Sequence, residues 1–246
     1  MLCAVPARRN PLPLLYSIGK ITVGKAMILG WRPHVEGLEH VPATGGAVFA
    51  GNHISVADEL FLGSVVPRHL AFWAKAEYFS GKGIGGFFTK QLMEGLGAIK
   101  VERAGGRAAL TAFDAAIPAL KAGDMVAVYP EGTRSPDGRL YRGRTGAARL
   151  AVAAGVPIIP VGVIGTEKVQ PIGQPYPKPV GWGKVTIKFG KPIETVGRAD
   201  DRSALRALTD EIMSEIQKLT GQEYVPRYAP PRGAAPDGPA ANPPTE

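Results

Sequence analysis

The stretch GAVFAGNHISVADELFLGSVV, residues 46–66, decides how the rest of the chain is read. Its first seven residues, 46–52, are small or apolar up to Asn52 with no alternation, the pattern of a strand buried on both faces. VADELFLGSVV then carries its apolar residues at helical spacing behind acidic residues that suit a helix N-terminus. A buried strand feeding a helix through a short turn is half of a parallel crossover unit. The turn between them holds His53 and, five residues on, Asp58.

Outward from this unit the alternation continues. LAFWAK (70–75), AIKVE (98–102), MVAVYP (125–130), VPIIPVGVI (156–164) and KVTIKF (184–189) read as strands. FFTKQLMEGL, a segment marked by Leu110, Phe113, Ile117 and Leu120, and a segment ending near Gly155 read as helices. Pro118 is expected to kink or shorten the second of these. Leu205, Leu208, Ile212, Ile216 and Leu219 recur at intervals of three and four, with Gly221 beyond them, which predicts an amphipathic helix on the core. The expectation is an α/β fold: one domain, residues 33–225, with a mostly parallel central sheet flanked by helices.

The flanks differ from this domain. Residues 11–31, PLPLLYSIGKITVGKAMILGW, approach the length of a membrane span but are broken by Lys20 and Lys25. Residues 1–32 are therefore expected to lie along an anionic membrane surface, with the lysines snorkelling to the headgroups; an ordinary helix packed on the domain is the alternative. Residues 226–246 are rich in proline, glycine and alanine and are expected to be a disordered tail.

A chain of 246 residues with 45% hydrophobic content can bury a sizeable core. The net charge of +8 calls for an anionic partner: membrane, nucleic acid or a phosphorylated substrate. Its basic residues are scattered, without the dense runs and interleaved aromatics of a single-strand binder, so no nucleic-acid partner is expected. One cysteine, Cys3, excludes an internal disulfide and any cysteine-based metal cluster and points to a reducing compartment.

His53 falls just past a strand C-terminus, where ligand chemistry collects in open α/β sheets. Imidazole takes up a proton near neutral pH, and a carboxylate on its other nitrogen sets the tautomer and offsets the charge that forms. The spacing also admits a plainer reading, with Asp58 favouring the helix start and His53 an ordinary loop histidine. YPEGTRSPDGR, 129–139, follows another predicted strand, and its Gly132, Thr133 and Arg134 together suit an oxyanion or phosphate cradle. GAIKVERAGGR, 97–107, brings Arg103 to the end of a third predicted strand.

Taken together, NHISVAD, GAIKVER, YPEGTRS and VPIIPV, in that order over residues 52–161, resemble the four blocks of the glycerolipid acyltransferases, and in particular the bacterial enzymes that acylate 1-acylglycerol 3-phosphate. Lys100 departs from the usual apolar or aromatic residue of the second block. The resemblance implies an O-acyltransferase that moves a fatty acyl group from acyl-CoA or acyl carrier protein to the acceptor's hydroxyl, giving phosphatidic acid, with no metal and no cofactor. His53 would be the general base and Asp58 its orienting partner, while Arg103 and the Glu131-Gly132-Thr133-Arg134 turn would hold the acceptor phosphate, Glu131 as a brace. Ser55 would serve the turn, and the enzyme would sit peripherally on the cytoplasmic face of the membrane. Glycerol 3-phosphate as acceptor, a hydrolase using the same pair, and a non-enzymatic binder of anionic membranes are the alternatives.

Overall fold

A computed structural model of the chain describes residues 14–71, 73–75, 80, 86–87, 90, 99–101, 116–174, 178 and 184–230. Its centre is a six-stranded sheet. The strands in chain order are β1 (His34–Glu36), β2 (Ala47–Gly51), β3 (Leu70–Ala71), β6 (Met125–Val128), β8 (Ile158–Ile164) and β9 (Thr186–Phe189), arranged spatially as β1-β9-β8-β2-β6-β3. Every neighbouring pair is parallel except β8 with β9. Two short parallel pairs stand apart: β4 (Trp73–Lys75) with β5 (Ile99–Val101), and β7 (Leu140–Tyr141) with β10 (Tyr224–Val225).

The unpatterned apolar run of β2 is buried on both faces, and its alternate residues divide between two cores. Val48 and Ala50 join Val126, Val128 and Ile158 on one face, beneath α4 (Gly146–Ala154) and α6 (Arg202–Thr220). Phe49 joins Ala127, Ile159, Val161 and Phe189 on the other, beneath α2 (Lys25–Trp31) and α3 (Ala57–Val65). Period-two alternation along a strand makes this division automatic. A single helical turn, α5 (Thr166–Val169), follows β8.

The terminal amphipathic helix is α6. Leu205, Leu208, Ile212 and Ile216 are buried as their spacing predicts. Asp201 caps its start by accepting from the N–H groups of Ser203 and Ala204, both at 2.9 Å, and Gly221 ends it in the left-handed conformation. α4 likewise stops at Gly155, with φ 66°. Residues 116–121 are helical; Leu110, Phe113 and most of FFTKQLMEGL lie outside the described residues.

Three expectations change. LAFWAK is not one strand: β3 stays in the central sheet while β4 leaves it to pair with β5. The first strand of the fold is β1, too short and exposed to stand out in the sequence. Residues 226–230, counted with the tail, pack on the domain, since Ala229 is buried with Tyr141 and Val225.

At the N-terminus, α1 (Leu14–Gly19), a π-helical turn (Lys20–Gly24) and α2 form a helical run over 14–31. Tyr16, Gly24 and Met27 face inward, and Ile18, Ile21, Val23 and Leu29 remain exposed, Leu29 at 67%. Lys20 does not snorkel. Its Nζ donates to the carbonyl oxygens of Val66 and Arg68, and burial lowers its pKa. Lys25 is exposed. No helix among the described residues is long and apolar enough to cross a membrane.

Candidate active site

β2, β6 and β8 run parallel through the middle of the sheet, so the segments leaving their C-terminal ends meet at one edge. β2 delivers His53, β6 delivers residues 129–134, and β8 delivers Thr166 at the start of α5. Asn52 pins this edge: its Nδ2 donates to the Val163 carbonyl and its Oδ1 accepts the Val163 N–H, each at 2.8 Å. A side-chain amide thereby continues the β2–β8 ladder for one more residue.

Asp58, fully buried in the first turn of α3, meets His53 across the turn. His53 Nδ1 lies 2.8 Å from Asp58 Oδ2, and the same oxygen accepts the N–H groups of Ile54 and Ser55, both at 2.9 Å. Asp58 Oδ1 accepts the Thr166 hydroxyl at 2.5 Å. A buried carboxylate is costly unless its lone pairs are filled, and four donors fill these. Since the carboxylate only accepts, Nδ1 of a neutral His53 carries the proton. Nε2 is then the basic nitrogen; it has no partner among the described residues and is not shut off from solvent, the side chain being 16% exposed.

Tyr129 fixes the plane of the imidazole. The two rings stack with centroids 3.9 Å apart and 13° between planes. The Tyr129 hydroxyl is buried without a hydrogen-bond partner among the described residues, and burial, helped by the charges of Glu59 and Asp58, pushes its pKa well above the ordinary value. Ser55 Oγ donates to the Gln170 carbonyl at 2.7 Å and accepts the Ala57 N–H at 3.1 Å, so it holds the turn and is not aimed at a substrate.

Glu131, only 1% exposed, is a brace. Its Oε1 accepts the His53 N–H at 3.1 Å and its Oε2 the Tyr141 N–H at 2.9 Å. The sequence groups it with the 131–134 turn, as a brace, and its carboxylate ties the His53 loop to β7. Burial pushes its pKa up to about 8 despite these two bonds. Ser135 N–H closes the same arrangement by donating to the His53 carbonyl at 2.7 Å.

Gly132 adopts φ 75°, and a Cβ there would come within 3.1 Å of Arg144 Cδ and Nε. Its N–H donates to the Tyr129 carbonyl at 2.9 Å. Gly132 therefore makes the turn, with its own amide committed to Tyr129. Thr133 has no hydrogen-bond partner among the described residues, and both it and Arg134 are partly exposed. Arg103 lies outside the described residues. The third strand end of the site belongs to β8, because the strand before Arg103, β5, pairs outside the central sheet.

Sequence reasoning passed over Thr166, Tyr129 and the role of Asn52. Each had a signal: Asn52 and Tyr129 directly adjoin His53 and the PEGTR turn, and Thr166 follows Gly165 at the end of the longest apolar strand.

The chain is 30% identical over 177 residues to a chloroplastic 1-acyl-sn-glycerol-3-phosphate acyltransferase of Arabidopsis thaliana, covering 72% of this chain and 48% of that protein. It is 29% identical over 185 residues to the 1-acyl-sn-glycerol-3-phosphate acyltransferase of Bacillus subtilis, covering 74% and 84%. The chain spans about half the length of two chloroplastic relatives it matches, those of Arabidopsis thaliana and Brassica napus. The crystal structure of the 1-acyl-sn-glycerophosphate acyltransferase PlsC from Thermotoga maritima superposes with a TM-score of 0.61 at 29% identity, covering 84% of this chain and 79% of that one. The Acyltransferase family model matches residues 32–164, over half of the 246 residues and nearly the whole of the His53 site described above, and the chain accordingly belongs to that family.

Proposed function

We propose that the protein transfers a fatty acyl group from an acyl thioester to the free hydroxyl of 1-acylglycerol 3-phosphate, giving phosphatidic acid. The observation that carries this reading is the His53–Asp58 pair, with its open Nε2 beside a turn bearing Thr133 and Arg134. The relatives' activity supports the choice of acceptor.

In the proposed reaction His53 Nε2 removes the acceptor hydroxyl's proton as its oxygen attacks the thioester carbonyl. Asp58 holds the imidazolium that forms, and Tyr129 keeps its plane. Collapse of the tetrahedral intermediate breaks the C–S bond, and the leaving thiolate recovers the proton from His53. No acyl-enzyme forms, which fits a Ser55 hydroxyl committed to Gln170. Arg134 and Thr133, with Arg103, are the proposed phosphate ligands; a guanidinium offers the paired donors that a phosphate accepts. The exposed Ile18, Ile21, Val23 and Leu29, beside a net charge of +8, would seat the N-terminal run on an anionic bilayer, at the cytoplasmic face and without spanning it.

The test is acyl transfer by purified protein from labelled acyl-CoA, with lysophosphatidate and glycerol 3-phosphate offered in parallel and the acylated position determined. Labelled phosphatidate from lysophosphatidate is the expected product. Preferential labelling of glycerol 3-phosphate would move the protein to the earlier acylation, and free fatty acid without lipid product would make it a hydrolase.

A further inference from the structure

Beside the His53 site lies a second feature that the mechanism does not use. A cavity of about 610 Å³ opens between α6 and the loop after β7, walled by Arg142, Thr145, Arg202, Arg206, Asp210 and Tyr228. Three arginines face one aspartate there, and that aspartate is already engaged: Arg206 Nη2 meets Asp210 Oδ1 at 2.5 Å while its Nη1 donates to the Gly143 carbonyl at 2.7 Å. Arg142 has no carboxylate partner among the described residues. Its guanidinium lies 5.5 Å from the centre of the Tyr228 ring, and that of Arg144 lies 4.8 Å from the same ring. The Arg142 guanidinium in the wall and that of Arg144 beside the Tyr228 ring, neither with a carboxylate partner among the described residues, leave excess positive charge at a concave, partly desolvated place, a setting that favours an anion.

The cavity is joined to the reaction edge by short covalent and hydrogen-bonded steps. Arg142 follows Tyr141, whose N–H meets Glu131, which in turn holds the His53 N–H. The Arg144 N–H donates to the Pro130 carbonyl at 2.7 Å, and its side chain packs against Gly132. An anion held here would not occupy the His53 site, since neither His53 nor Asp58 forms any of the wall.

We propose that this cavity receives the phosphate-bearing nucleotide end of an acyl-CoA donor, its arginines holding the phosphates and the Tyr228 ring offering an aromatic face to the base. The inference rests on the acyltransferase reading. Of the substrates that reading requires, the donor carries anionic charge remote from its reacting carbonyl, as a separate charged cavity demands; the acceptor's phosphate is close to its hydroxyl.

The experiment is isothermal titration of the full chain with free CoA, with dephospho-CoA and with inorganic phosphate, for wild type, Arg142→Gln, Arg142→Lys and Arg202→Gln, each checked for folding by circular dichroism. The KM values for acyl-CoA and for lysophosphatidate are measured alongside. CoA is expected to bind the wild type more tightly than dephospho-CoA, and both more tightly than inorganic phosphate. Each glutamine variant is expected to weaken CoA on the order of tenfold, the loss of one contact to a charged group, and to raise the acyl-CoA KM more than the acceptor KM. Arg142→Lys should recover part of the loss, since it keeps the charge but not the planar fork. Native protein that does not bind CoA, or binds phosphate as tightly, would overturn the proposal. So would folded glutamine variants that bind CoA as wild type does, or a rise confined to the acceptor KM. Because CoA binding is read without turnover, arginine-dependent binding in a protein that transfers no acyl group would retain the cavity and reject the acyltransferase reading. Active transfer with CoA binding indifferent to these arginines would do the reverse.

Discussion

Replacing Asp58 by asparagine separates what its shape does from what its charge does. With its carbonyl oxygen in the place of Asp58 Oδ2, the substituted amide still accepts from His53 Nδ1 and from the Ile54 and Ser55 N–H groups. Its NH2 then faces Thr166 Oγ1, which can turn to accept. The turn survives with neutral hydrogen bonds in place of charge-assisted ones, a loss of about 1–2 kcal/mol in stability. The charge is gone, however, from beside a ring that the proposed mechanism makes cationic in the transition state. Two unit charges about 4 Å apart attract by about 4 kcal/mol at an effective dielectric near 20. At about 1.4 kcal/mol per decade, Asp58→Asn should lower kcat by two to three orders of magnitude, roughly within the range of general-base contributions. Asp58→Ala is less informative, because it strands the buried Ile54 and Ser55 amides. The assay is single-turnover transfer of a labelled acyl group, beside a urea melt of each protein. A folded Asp58→Asn enzyme within tenfold of wild type would refute the electrostatic role. Loss of folding at room temperature would refute the claim that the amide satisfies the same donors.

Three further outcomes follow from individual contacts. Thr166→Val removes the hydroxyl on Asp58 Oδ1 and should cost about 1–3 kcal/mol in a urea melt while leaving the His53–Asp58 bond in place, so that turnover falls less than in Asp58→Asn. For Glu131, the folded pKa of about 8 lies above its ordinary value of 4.5, so the folded state holds the proton more tightly; the stability this contributes is complete below about pH 4.5 and is lost as pH rises through about 8. Between about pH 5.5 and pH 8.5, urea midpoints should therefore fall more in wild type than in Glu131→Gln, and parallel declines would remove the effect. Ile21→Glu combined with Leu29→Glu alters two exposed side chains and should reduce sedimentation with anionic liposomes at low salt without shifting the melting temperature; unchanged sedimentation would place the membrane contact elsewhere.

Much of the fold was legible because β2, β6 and β8 are buried on both faces and therefore read as unbroken apolar runs. α6 was legible for the opposite reason: one face is apolar and the other charged, and Gly221 ends it. His34–Glu36 was not, since three half-exposed residues carry no period and their place beside β9 is set by pairing at a distance. The departure of β4 from the line of β3 is likewise a tertiary choice, made where Trp73 Nε1 reaches the Ala127 carbonyl at 2.6 Å. At the site, His53 and Asp58 are local in sequence and could be paired from spacing. Thr166 lies 108 residues from Asp58; its place after Gly165 at the end of β8 marks the sheet edge but does not single out Asp58 as its partner. The inward turn of Lys20 was hidden in the same way, because its carbonyl partners lie 46 and 48 residues away.

The central claim is that His53 Nε2 takes the acceptor's proton, and single-turnover acyl transfer to lysophosphatidate by folded His53→Ala protein tests it most directly. Circular dichroism should match wild type, because the ring's only hydrogen bond among the described residues is to Asp58 and the main-chain bonds at residue 53, to Glu131 and from Ser135, do not depend on the side chain. The account predicts a rate lower on the order of a hundred- to ten-thousand-fold. A folded variant that still forms labelled phosphatidate within tenfold of the wild-type rate would contradict it.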